Sequence, residues 1–331
     1  MKILKIIPYY GQWPSFMHLY LESCKANPQL DIVFVTDLPP FDNSPSNVSY
    51  FPLSLKKLKK RIEALFNLDV SNYPPYKLCD FRPAYGLIFS NLIQGYDFWG
   101  YGDNDLIYGD LSLFLKEELL RCHDILAFKK GHLQGPFTLY KNTEINNNLF
   151  KEGGHYRTVF GTSEYVSFDE FGKNVFYTKI KSLQDITSLP ENNISVIALK
   201  QHLEGNLSVY TQQHVKENLS ESDVIVYDKG RVYDYYTQED YLFYHWVLEK
   251  RALWFDYPEW FKQRPEKFYI TVTGFYLPDE FAKFNKLYKV RYYKGLTRWW
   301  WLKGTNFLKR RVGLPVNIDT YPKKGWVKKL S

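Results

Sequence analysis

Asp103 and Asp105 stand on either side of Asn104 in FWGYGDNDLIYGDL, residues 98–111, a stretch otherwise built mostly of aromatic, aliphatic and glycine residues. Two carboxylates separated by one residue and leaving a turn at a strand end can converge on one divalent cation, and hard oxygen ligands select Mg2+ or Mn2+. Without a cation the two charges would repel each other in a poorly solvated place, raising at least one pKa. The bland alternative is turn and cap chemistry, because aspartates end strands and start helices for local backbone reasons. Asp110, just before LSLFLKEELL, fits that second use as an N-cap.

Upstream, PYKLCDFRPAYG alternates Lys77, Asp80 and Arg82 with apolar positions just before a predicted helix from about Arg82 to Gln94. A guanidinium so placed suits bidentate contact with an oxyanion, and the competing reading is an ordinary ion pair at a helix start. Far down the chain, YHWVLEKRALW supplies His245, Lys250 and Arg251. A lone histidine is more often structural than a ligand, and spacing alone leaves both readings open.

The elements that must position these residues follow from hydrophobic periodicity. KILKIIPYY and DIVFVTD are short apolar runs suited to buried strands, and PSFMHLYLESCKAN between them places Phe16, Leu19, Tyr20 and Cys24 at helical spacing. VSYFPLS is a third strand, followed by the amphipathic LKKLKKRIEALF with Leu55, Leu58, Ile62 and Leu65 on one face. The strand FWGYGDND, a helix over DLSLFLKEELLR and the strand DILAFKK continue the alternation. That order predicts an α/β fold with a mainly parallel sheet flanked by helices, in which ligands sit beyond the carboxyl ends of the strands. Later, DVIVYDKGRVYDYY predicts two strands around a Lys-Gly turn, YLFYHWVLEKRALWF a strand and then irregular chain, and KFYITVTGFY another strand. The predicted organisation is a catalytic α/β domain over residues 1–255 with an extension over 256–331.

Composition narrows the classes. The 331 residues include 28 Tyr, 24 Phe and 9 Trp, an aromatic fraction of 18% that favours a sugar or nucleotide ligand beside its ordinary use in cores. Cys24, Cys79 and Cys122 are odd in number and widely spaced, which argues against a disulfide framework or structural zinc and for reduced thiols in a cytoplasmic protein. No run of 18 apolar residues is present, so no transmembrane helix is predicted. Residues 286–331 carry 13 Lys/Arg and one acid, whereas the first 285 carry 30 bases and 35 acids. LTRWWWLKGTNFLKRR mixes Trp299, Trp300 and Trp301 with basic residues, as expected of a segment lying on an anionic membrane surface; a nucleic-acid patch and a solvated basic tail are the competitors.

Taken together, YKLCDFRPAYG and FWGYGDNDLIYGDL resemble the GT-A-fold (Rossmann-like) nucleotide-sugar glycosyltransferases of bacterial capsule and O-antigen polysaccharide synthesis, over roughly residues 1–255. The resemblance implies a UDP-sugar donor, galactose being one choice of sugar, and an Mn2+ or Mg2+ cofactor. It implies a glycan or lipid-linked glycan acceptor at the inner face of the plasma membrane, and no nucleic-acid partner. It places Pro8, Tyr9, Tyr10, Thr36 and Asp37 at the nucleoside. Asp103 and Asp105 become metal ligands with Asn104 beside the donor, and His245 the third ligand. Lys77, Asp80 and Arg82 face the diphosphate or brace the aspartates, while Lys250 and Arg251 grip the departing diphosphate. The glycine of the related histidine motif is absent here. If the reaction inverts, a carboxylate must take the acceptor proton; GTSEYVSFDEFG offers Glu164, Asp169 and Glu170, of which Asp169 and Glu170 are the choice, and His132 and Gly135 of GHLQGPFTLYKN lie in a loop suited to approach a sugar. A metal-dependent phosphodiesterase or nucleotidyltransferase, and a non-catalytic carbohydrate-binding protein, are the rival readings.

Overall fold

The apolar runs of the first half become strands for the reason their sequence suggests: β-branched and aromatic residues with almost no polar interruption can only be buried on both faces. The computed structural model describes residues 1–172, 183–247, 249–252, 254–284 and 287–311, with Leu183, Arg251, Phe284 and Arg310 described by backbone alone. In chain order its first elements are β1 (Ile3–Pro8), α1 (Met17–Lys25), β2 (Leu30–Thr36), β3 (Val48–Pro52), α2 (Leu55–Phe66), α3 (Tyr85–Ile88), β4 (Phe98–Gly102) and β5 (Leu106–Tyr108). There follow α4 (Glu117–Cys122), β6 (Ile125–Ala127), β7 (Phe137–Lys141), α5 (Glu144–Asn148), α6 (Tyr156–Phe160), α7 (Ile194–Leu203) and β8 (Val209–Thr211). The last are β9 (Val215–Glu217), β10 (Val224–Asp228), β11 (Arg231–Asp234), β12 (Phe243–His245), β13 (Lys267–Thr271), β14 (Gly274–Tyr276), α8 (Pro278–Phe284) and α9 (Leu287–Arg311).

The chain divides into two units, the first made of residues 1–14, 24–104 and 111–214, the second of 15–23, 105–110 and 215–331. In the first, seven strands form one sheet in the order β3-β2-β1-β4-β7-β6-β8. β3, β2, β1 and β4 run parallel, β7 is antiparallel to both neighbours, and β6 and β8 are parallel, so the sheet is mixed and mostly parallel. The carboxyl ends of β1, β2 and β4 therefore share one edge, and the register Gly102 opposite Phe137 brings the loop before β7 to that same edge. α2 packs Leu58 and Ile62 inward; its N-cap Ser54 accepts from Lys57 N, and Asn67 closes it in the left-handed region at φ 52°.

Two predicted helices are corrected. The segment Pro75–Ala84 is a ten-residue 3-10 helix followed by the single turn α3, in place of an α-helix from Arg82 to Gln94. Pro83 within it offers no N–H for an α-helical ladder. The helix expected after Asp110 is a three-residue 3-10 turn, Leu111–Leu113, and α4 begins only at Glu117 with Lys116 at its N-cap, so Asp110 does not cap it.

The second unit contains the four-stranded sheet β11-β10-β13-β14 and the three-stranded sheet β5-β12-β9. Lys229 and Gly230 link β10 to β11 at φ 49° and 89°, the doubly left-handed turn that matches strand twist. Ile107, Tyr244, Trp246, Phe268 and Phe275 belong to its buried core. The three cysteines form no disulfide with one another, Cys24 being buried and Cys122 exposed. No described helix is long and apolar enough to cross a membrane.

Candidate functional site

In a 3-10 helix side chains at i and i+3 eclipse, so Lys77 lies directly over Asp80 and Arg82 is turned away from both. The Lys77 ammonium is buried and donates to Asp80 Oδ2, Val159 O and Glu164 O, each at 2.8 Å. Asp80, also fully buried, accepts from Val166 N (2.9 Å) and Phe168 N (2.7 Å), the N–H groups on either side of Ser167, whose φ is 61°. All three ammonium protons are spent inside the protein. Lys77 and Asp80 are thus a strut holding the 166–170 loop, whereas the resemblance expects them at the diphosphate or beside the aspartates.

Arg82 takes the bracing role. It pairs with the Asp103 carboxylate through Nη2, and its Nη1 donates to Asp169 Oδ2 (2.8 Å) and Gly135 O (3.1 Å). Buried Lys5, in the middle of β1, donates to Asp103 O at 2.8 Å, fixing the chain where β4 ends. Glu170 Oε1 accepts from Gly135 N at 2.9 Å. A Cβ at Gly135 would stand 2.7 Å from Arg82 Nη1 and 2.8 Å from Glu170 Oε1, so a larger residue would displace one of these two side-chain ends.

Asp169 and Glu170 are not equivalent. Asp169 is fully buried, bonded to Arg82 and to Tyr165 OH (3.2 Å), and its peptide oxygen accepts from Tyr101 OH (3.1 Å). Its carboxylate is engaged by Arg82 and Tyr165, so of the two acids expected to take an acceptor proton it is the more enclosed. Glu170 is only half-buried. Burial, opposed by the Gly135 N–H, pushes its carboxyl above the ordinary range, a direction that suits proton transfer. Beside them Tyr76, 61% exposed, packs edge-on to Tyr165 with centroids 4.7 Å apart. Glu164 is exposed and reaches Lys77 only through its peptide oxygen.

At the shared sheet edge, Pro8 ends β1 and Tyr9 N donates to Val35 O (3.0 Å). Tyr9 stacks on Trp13 at 5.0 Å and 4°, and Tyr10 OH donates to Leu53 O (3.1 Å). Thr36 is buried, its hydroxyl accepting from Leu38 N, and Asp37 is exposed. Trp13 also meets Phe34, Phe41 and Tyr50 edge-on. Trp13 was not singled out from the sequence, where it is one aromatic among many. His132 is half-buried, with Nδ1 3.2 Å from Lys130 O.

The second unit holds the other half of the residues. Antiparallel β5 and β12 place His245 opposite Leu106, the neighbour of Asp105, and parallel β9 places Glu217 opposite His245. His245 Nε2 lies 3.3 Å from Asp105 Oδ1 and its Nδ1 2.9 Å from Glu217 Oε1. Lys250 pairs with Asp105 Oδ2. Burial disfavours the imidazolium, but Asp105 and Glu217 overcome it and raise the His245 pKa to about 10. Burial likewise opposes the Asp105 carboxylate, and His245 and Lys250 hold it well below the ordinary range. The side chain of Arg251 lies outside the described residues. Glu217 went unnoticed in the sequence, because nothing local distinguishes it.

Asp103, Asp105 and His245 form a group that could hold a divalent metal ion. Asp105 and His245 are brought together by the strands of the second unit, and Asp103 precedes Asp105 by two residues of chain, with buried Asn104 between. The donor set fits such an ion: carboxylate oxygens, an imidazole nitrogen, and a carboxylate behind the imidazole that fixes its orientation.

A model described as "Family of unknown function (DUF6625)" matches residues 5–277. The chain belongs to that family. Within the matched span of this family member lie all the residues of the strut, the Arg82 network and the Asp105–His245–Glu217 chain. No curated protein matches it. Among solved structures it is similar to the apo-form glycosyltransferase GlyE of Streptococcus pneumoniae TIGR4, at 13% identity and a TM-score of 0.25. The alignment covers 63% of this chain and 44% of that one, a weak likeness that carries nothing about activity.

Proposed function

We propose that this chain is a divalent-cation-dependent glycosyltransferase that takes a hexose from a UDP-sugar and passes it to a glycan acceptor. The observation that carries the reading is the buried chain Glu217–His245–Asp105, with Lys250 on the remaining oxygen of Asp105. A carboxylate that orients an imidazole towards a second carboxylate is the arrangement of a metal ligand pair with its supporting residue. Asp103, Asp105 and His245 Nε2 would hold Mn2+ or Mg2+, which when bound supplies charge neutralisation for the departing nucleoside diphosphate.

The chain's own residues do the rest. Lys250, 30% exposed in its side chain, is positioned to exchange Asp105 for a phosphate oxygen. Arg82 keeps the Asp103 carboxylate in one orientation by dividing its guanidinium among Asp103, Asp169 and Gly135. Pro8, Tyr9, Tyr10, Thr36 and Asp37, at the carboxyl ends of β1 and β2, are where open α/β sheets hold ligands and would receive the nucleoside, with Asp37 free to accept from ribose hydroxyls. Glu170 would take the acceptor proton if the configuration inverts. Galactose as the sugar, a lipid-linked capsule or O-antigen acceptor, and a place at the inner membrane face complete the proposal on the motif resemblance.

The test is incubation of the protein with Mn2+ and a panel of nucleotide sugars, followed by release of nucleoside diphosphate. Metal-dependent release from one donor, abolished in Asp105→Ala, supports transfer. Cleavage of sugar-free phosphodiesters, or sugar binding indifferent to metal and nucleotide, would overturn it.

A further inference from the structure

Helix α9 has two apolar faces, and the second unit uses only one. Tyr288, Tyr292 and Trp299 are buried, with Asn306 continuing the stripe, a spacing of four and seven residues that lays one side of the helix on the unit. Val290, Tyr293, Trp300, Trp301, Phe307 and Leu308 are 46–67% exposed. At about 100° per residue these six fall within an arc of roughly 120° on the side away from the buried stripe. Arg291, Lys294 and Arg298 line one margin of the arc and Lys289 and Lys303 the other, and Leu287–Arg311 contains no acidic residue. Lys303 lies over the Trp300 ring at 4.7 Å, its stem along apolar surface and its charge at the edge.

We infer that this face of α9 docks on an anionic phospholipid surface, lying in the plane of the headgroups. The occupant follows from the charges. Within the unit Glu221 accepts from the Tyr293 hydroxyl and Asp256 pairs with Arg291, and Arg311 stands in the last turn of the arc. The remaining apolar arc with unpaired basic margins on a helix without acids matches the boundary between acyl chains and anionic headgroups, with two tryptophans at that depth. A second copy of the same helix would bring like charges together, and a nucleic acid offers nothing to bury six apolar side chains. The inference rests on the geometry of α9 alone and is independent of the proposed reaction. Arg310's side chain and residues 312–331, the rest of the basic tail, lie outside the described residues.

The experiment is co-sedimentation of the full chain with vesicles of phosphatidylcholine alone or mixed with phosphatidylglycerol, at low and high salt. Binding to the anionic vesicles, weakened by salt and absent from the neutral ones, is expected. Trp300→Ser/Trp301→Ser/Phe307→Ser/Leu308→Ser should reduce partitioning more than tenfold with an unchanged thermal transition, since all four are exposed. Lys294→Gln/Arg298→Gln/Lys303→Gln should cost about fivefold per charge, about 100-fold together. Equal binding of wild type and the four-serine variant overturns the inference, as does the absence of vesicle binding. So does a wild-type dimer that the four-serine variant makes monomeric, or binding to a short DNA duplex without binding to vesicles. Metal-dependent donor hydrolysis, measured on the same preparations, reports separately on the reaction.

Discussion

Replacing Lys77 by Met should unfold the protein more readily without a specific effect on nucleotide binding. Lys77 and its partner Asp80 are 1% and 0% exposed in their side chains and 2.8 Å apart. Removing the ammonium leaves the Asp80 carboxylate with two backbone N–H donors and no buried cation, and strands the Val159 and Glu164 carbonyls. Breaking one side of a buried ion pair costs about 3–5 kcal/mol, which corresponds to a fall in Tm of roughly 6–20 °C at 2–4 °C per kcal/mol. Asp80→Asn should cost a similar amount by leaving the ammonium uncompensated. The double variant should cost less than the sum of the two, because the second change removes the charge that the first left unpaired. Calorimetry gives the stabilities and titration with UDP and Mn2+ the affinities. A Lys77→Met protein as stable as wild type to within about 1 kcal/mol, yet weakened in nucleotide binding, would refute the strut and return Lys77 to the diphosphate.

Glu217→Gln should weaken Mn2+ binding about 10–100-fold, read by titration of the metal alone, with no effect expected if His245 is not a ligand. Glu170→Gln should lower the rate of transfer about 10²–10⁴-fold and remove the acidic limb of the pH–rate profile, a limb that should lie above the ordinary carboxylate range because burial raises that group. Glu249, 3% exposed, is pushed up to about 7 by burial. The folded state therefore holds that proton more tightly than the unfolded chain, so its contribution is intact below pH 4.5 and lost as pH rises through 7. The loss is about 3 kcal/mol, and denaturant titrations of Glu249→Gln across that range should show a flatter profile than wild type. Tyr76→Ala should raise the acceptor KM while leaving donor hydrolysis unchanged, since its exposed ring packs on Tyr165 and offers an aromatic face to a sugar.

Local signals in the sequence determined a good deal. The apolar runs of β1, β2, β3, β4 and β6, the amphipathic face of α2 and the Lys-Gly turn between β10 and β11 were legible because burial and turn geometry act on neighbouring residues. Their order implied a mostly parallel sheet, and the sheet implied that Asp103 stands at a strand end. The opposed faces of α9 were hidden in the same kind of pattern, since only packing reveals which of two apolar stripes is covered. What only tertiary structure decided is how charged groups pair. Lys77 and Arg82 look alike in PYKLCDFRPAYG, but the 3-10 repeat turns one into the core and the other towards Asp103. Asp169 and Glu170 are adjacent acids, and the Arg82 contact closes one while leaving the other half-open. Glu217 meets His245 across 28 residues of sequence through parallel pairing of β9 with β12. Hydrophobic periodicity is a property of consecutive residues, whereas an ion pair in a poorly solvated interior depends on which distant strand supplies the opposite charge.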